Sequence, residues 1–68
     1  MPTGTVKWFN VTKGYGFIEP EEGGNDVFVH ITAVQRSGME GLQDGQKVGY
    51  ELEEGRNGRM AASELKAL

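Results

Sequence analysis

Short runs of alternating residues, each bounded by glycine or a turn, constrain this chain more than any other feature. GTVKWFN (4–10), YGFIEP (15–20), DVFVHI (26–31) and QKVGYEL (46–52) follow one another closely, and helix has little room. Period-two alternation at this spacing, with eleven glycines among 68 residues, predicts a small all-β fold that is closed or nearly closed. The length implies one domain, 1–68, near the lower limit at which a single core holds without a staple. With no cysteine and one histidine, neither a disulfide framework nor a zinc site of the usual ligands can be built from one copy. Packing alone must hold the fold.

The first strand is expected over 4–10, with an extension toward Lys13 left open. The second spans 15–20 and is closed by Pro20, which has no N–H to give a ladder. The third spans 26–31, after an EEGGN loop in which Gly23 and Gly24 supply positive φ. The stretch ITAVQRSGMEGLQDG then loses the period of two. It has room for one helical turn over 32–35 with Thr32 as N-cap, and its length suggests a Greek-key crossover. A fourth strand over 46–52 places Val48, Tyr50 and Leu52 on one face. After the EEGRNG turn, RMAASELKAL (59–68) reads as a fifth strand, although its alanines, glutamate and lysine suit a short helix equally well. The expected architecture is a five-stranded antiparallel Greek-key barrel.

Alternation divides the second and third strands into two unlike faces. Gly16, Ile18, Val27 and Val29 form an aliphatic side, the obvious core. Tyr15, Phe17, Phe28 and His30 lie together on the other side. One twisted barrel has no second core for them, and a contiguous exposed aromatic patch usually marks a binding surface. Flat rings suit nucleobases, which stack on aromatic faces whatever their identity, each stack contributing about 1–3 kcal/mol. Gly14 and Gly16 admit two compatible readings: they keep the backbone low so that a base can reach Tyr15, or they serve a bend in a coiled strand. GYG is no phosphate-cradling loop, since it lacks the GK[ST] ending and a following helix.

The net charge of −3 alone argues against a polyanionic partner. Its distribution does not. Residues 1–18 carry Lys7 and Lys13 and no acid, whereas 19–26 carry Glu19, Glu21, Glu22 and Asp26. Two lysines therefore flank the aromatic residues in sequence, with the acids at or beyond their rim.

KWFN at 7–10, KGYGFI at 13–18 and DVFVHI at 26–31, in this order and spacing, closely resemble the bacterial cold shock proteins. KGYGFI is similar to their form of ribonucleoprotein motif one and VFVHI to motif two. The resemblance runs through the whole chain. It implies a barrel of the OB type that binds single-stranded RNA and DNA, melts weak RNA secondary structure and is often induced by cold. Carried over by position, it makes Trp8, Tyr15, Phe17, Phe28 and His30 a stacking platform, with Lys7 and Lys13 on phosphate or sugar and Asn10 and Asp26 on base edges. Ile31 and Met39 stand where the family frequently has phenylalanine. They remain apolar, and weaker stacking is expected at that end. Arg56 joins the candidates. Arg56 and Arg59 around the RNG turn either reach the groove rim or are simply solvated.

Two tensions stay open in the sequence. Val6 and Trp8 share parity, so alternation puts them on one face, while the resemblance needs Val6 inside and Trp8 outside. A bulge would reconcile them. Otherwise Trp8 belongs to the core, and Phe9 is expected in or near the core in either case. The second tension concerns the partner: an aromatic barrel face also suits a peptide, as in SH3-like modules. An enzyme such as a nuclease is disfavoured, because His30 has no triad partner and no acidic pair has clear metal-ligand spacing. No cofactor, membrane partner or small-molecule substrate is expected. The chain lacks a basic, then apolar, N-terminal leader and any apolar run of roughly 18 residues. A cytoplasmic monomer is the expectation.

Overall fold

The computed structural model describes residues 2–55 and 60–68. Five strands and one short helix follow in the order β1 (Thr3–Asn10), β2 (Tyr15–Pro20), β3 (Val27–His30), α1 (Ile31–Arg36), β4 (Lys47–Glu54) and β5 (Met60–Ala67). The strands close into a barrel ordered β1-β2-β3-β5-β4. The connection from β3 to β4 therefore crosses the barrel, as its length suggested, and β4 closes the ring against β1 through Thr3↔Gly49, Gly4↔Val48 and Thr5↔Lys47. A ring with an odd number of strands cannot alternate direction throughout. The one parallel seam falls between β3 and β5, at Phe28↔Ala61 and Val29↔Ala62.

Inward-facing Val6, Ile18, Val27, Val29, Val48, Tyr50, Ala62 and Leu65 meet Leu42 and the helix residues Ala33 and Val34 in one core. Phe9 packs against it, as expected. Each fully buried aliphatic side chain stabilises the fold by about 1.5–3 kcal/mol relative to exposure. The C-cap of the helix, Ser37, ties it to β5: its Oγ donates to the Ala33 carbonyl at 2.8 Å and accepts the Leu65 backbone N–H at 2.7 Å.

Several boundaries differ from the expectation, each for a local reason. Strand β3 starts at Val27 and stops at His30, and the helix starts at Ile31 rather than Thr32. Its N-cap is His30, not Thr32: the ring nitrogen Nδ1 accepts the Thr32 N–H at 3.2 Å. The C-terminal segment is a strand, which settles the alternative of a helix. Ala62 and Leu65 both face the core although they stand three apart, because the β4–β5 register skips Ser63 between Glu51↔Glu64 and Leu52↔Ala62. That bulge gives the sequence its helix-like spacing. Leu52, expected on one face with Val48 and Tyr50, is 43% exposed just past the bulge.

Gly16 is fixed by close approach. A Cβ there would run into the Trp8 carbonyl oxygen and lie 2.7 Å from Phe9 Cα, so β1 and β2 coil together only because this position has no side chain. Gly16→Ala is expected to cost about 1–3 kcal/mol, read from urea unfolding followed by tryptophan fluorescence; an unchanged midpoint would contradict this packing.

Burial, then the Glu22 carboxylate, raises the Tyr50 phenol above its ordinary value of 10.0. The folded state thus holds this proton more tightly than the unfolded chain does. The contribution is complete below the unfolded-state value and is lost as pH rises through the folded-state value. Unfolding free energies measured between about pH 8 and pH 11 should fall more steeply for the parent protein than for Tyr50→Phe.

Candidate functional site

The outer face of β1, β2 and β3 is built by register. On β2 and β3, Tyr15 stands opposite His30 and Phe17 opposite Phe28. On β1 and β2, Trp8 stands opposite Phe17 and Asn10 opposite Tyr15. Strict alternation would have placed Trp8 inward beside Val6. The register slips between Val6 and Trp8, so Lys7 is the extra residue of a bulge and Trp8 emerges on the outside, 38% exposed, while Val6 stays buried.

The rings make one connected surface. Trp8 meets Tyr15 and Phe17, each at 5.5 Å between centroids and edge-on. Phe17 meets Phe28 edge-on at 5.8 Å, and Tyr15 stacks on Phe28 at 5.9 Å. His30 ends the row 6.4 Å from Phe28. Tyr15, Phe17 and Phe28 are half-buried and His30 is exposed. Such pairs contribute roughly 0.5–1.5 kcal/mol each beyond their area, which holds the rings in a set order and offsets part of the cost of leaving them uncovered.

Around this row the polar candidates are more engaged than the sequence suggested. Lys7 Nζ donates to Asp26 Oδ2 at 3.2 Å. Asn10 Oδ1 accepts the Lys13 backbone N–H at 2.9 Å, and its carbonyl accepts the Gly14 N–H at 2.7 Å. The turn between β1 and β2 thus uses the Asn10 side-chain oxygen. Lys13 is exposed. Gly14, at φ 84°, accepts the Ile31 N–H at 2.9 Å, which ties half-buried Ile31 to the Tyr15 end of the row. Met39 is half-buried and packs against the core. Arg56 and Arg59 lie outside the described residues.

The sequence reading missed an open concavity of about 860 Å³ beside the row. Phe17 and Phe28 form one wall, Leu52 and Met60 another, and Glu22 and Asp26 stand at it. Leu52 and Met60 come from strands distant in sequence, and only the bulge in β5 and the ring closure bring them to this edge. The capping role of His30 was likewise hidden, since it depends on where β3 ends. Thr32 Oγ1 lies 3.0 Å from the same Nδ1.

A family model described as the 'Cold-shock' DNA-binding domain matches residues 2–67. A probable cold shock protein, y4cH, of Sinorhizobium fredii is 60% identical over 68 residues, covering 98% of this chain and 99% of that one. Cold shock protein CspA of Rhizobium meliloti is 53% identical with the same coverage. Cold shock protein CspC of Bacillus subtilis is 54% identical over 67 residues, 98% of this chain and all of that one (100%).

Because one ring serves as both an end of the row and a helix cap, His30→Ala is expected to destabilise the protein by about 0.5–1 kcal/mol and to speed exchange of the Thr32 amide. Unchanged exchange at Thr32 would show that the cap is inert.

Proposed function

This chain belongs to the 'Cold-shock' DNA-binding domain family, and we propose that it binds single-stranded RNA and DNA with little sequence preference, acting as an RNA chaperone without energy input. The observation that supports this most is the connected ring surface from Trp8 through Tyr15, Phe17 and Phe28 to His30, outside a barrel whose core is complete without it. Bases stack on these rings, and Lys7 and Lys13 meet phosphates at the edge. Asn10, Asp26 and Ile31 border the surface, and Arg56 is assigned to its rim on family resemblance alone. Met39, half-buried against the core, offers an apolar contact with weaker stacking than a ring would give.

A duplex hides the base faces that this surface recognises. Binding an open strand and not a duplex draws the equilibrium toward the open form by mass action, so no nucleotide hydrolysis is required. The whole chain acts as one domain, a monomer without cofactor and without catalysis. Among the described residues no three acidic or histidine side chains converge as a metal site, and no helix is long and apolar enough to cross a membrane. A cytoplasmic role in cold adaptation and gene regulation follows from the family resemblance.

Titrating oligo-dT while following the fluorescence of Trp8, the single tryptophan, tests the reading. Strong quenching by oligo-dT and little by duplex is expected. Phe17→Ala with Phe28→Ala should remain folded and lose about 30-fold or more in affinity, as two lost stacks require. Since only a few lysines contribute, log affinity should fall shallowly with log salt, by about 0.7 per phosphate contacted. If intact protein leaves Trp8 unquenched at micromolar strand, the aromatic face serves a peptide instead.

A further inference from the structure

Lys7 and Lys13 are the two cations that sequence places beside the rings, yet the structure treats them differently. Lys13 is exposed and makes no ion pair among the described residues. Lys7 sits at the β1 bulge and reaches over β2 to Asp26, immediately before β3, with Nζ 3.2 Å from Oδ2. It is the only ion pair within 4.0 Å among the described residues. The side chains stay 47% and 38% exposed, so the pair is solvated and can exchange partners at little cost. It also lies at the Phe17 end of the row, since Ile18↔Val27 is the next register step after Phe17↔Phe28.

We propose that Asp26 competes with the bound strand for Lys7, and so holds down both the affinity and the salt dependence of binding. This rests on the strand-binding reading above. A phosphate approaching Lys7 must displace a carboxylate already in place. Part of the attraction is then spent on exchange, and fewer counterions are released per strand than two lysines would give. Stacking is left as the main source of affinity. The acid thereby keeps a ring surface from holding any polyanion that lacks bases.

A mutant cycle on oligo-dT binding decides it, using the parent, Asp26→Asn, Lys7→Gln and the double variant, each measured over a range of salt. Asp26→Asn should tighten binding about three- to fivefold at low salt and steepen the salt slope by about 0.7, one extra phosphate contact. Lys7→Gln alone should weaken binding about twofold, less than the loss of a phosphate contact free of competition, and in the Asp26→Asn background it should cancel the gain. Glu22→Gln removes a nearby charge that is not paired with Lys7, and should give a smaller gain with no change in slope. Weaker binding by Asp26→Asn would overturn the proposal, as would a gain that survives loss of Lys7. Failure of the parent to bind oligo-dT at all would overturn the strand-binding reading and this proposal together. A parent that binds, with no gain in Asp26→Asn, overturns this proposal alone.

Discussion

The slip in register at Lys7 is the constraint on which the outer face depends. Without it, Val6 and Trp8 would compete for one side of β1, and the barrel would either swallow its largest ring or lose a core valine. One extra residue lets both occupy the side their chemistry favours. The same residue places a lysine where it can span β2. Core, ring surface and edge charge are therefore settled together by a single local irregularity.

A second bulge, at Ser63 on β5, does comparable work on the far side of the ring. It keeps Ala62 and Leu65 both inward, and beyond it Leu52 and Met60 emerge as a partly apolar wall. Between these irregularities the core needs little more than aliphatic alternation, and Gly16 lets the strands approach closely enough to coil. The outer face adds rings that the core does not need.

Much of this was legible in the sequence because alternation along β2 and β3 is unbroken: Ile18, Val27 and Val29 declared one face, and Tyr15, Phe17, Phe28 and His30 the other. Trp8 was ambiguous for a physical reason, since a bulge has no sequence period. The fifth strand was ambiguous for the same reason. The ion pair of Lys7 with Asp26 joins residues 19 positions apart, and the His30 cap depends on a strand ending one residue earlier than its pattern. Local periodicity reads faces well, and it is silent about interactions created by closure.

The parallel seam between β3 and β5 has a kinetic consequence. Strands β1, β2 and β3 follow one another through short connections, whereas the seam joins Phe28 to Ala61 and Val29 to Ala62, partners that meet only after the long crossover and β4 are in place. Closing such separations costs more chain entropy than forming the hairpins. The sheet that displays the rings can therefore assemble before the barrel shuts. Phe28 thus belongs both to the sheet that can form early and to a seam whose pairing must wait for β5.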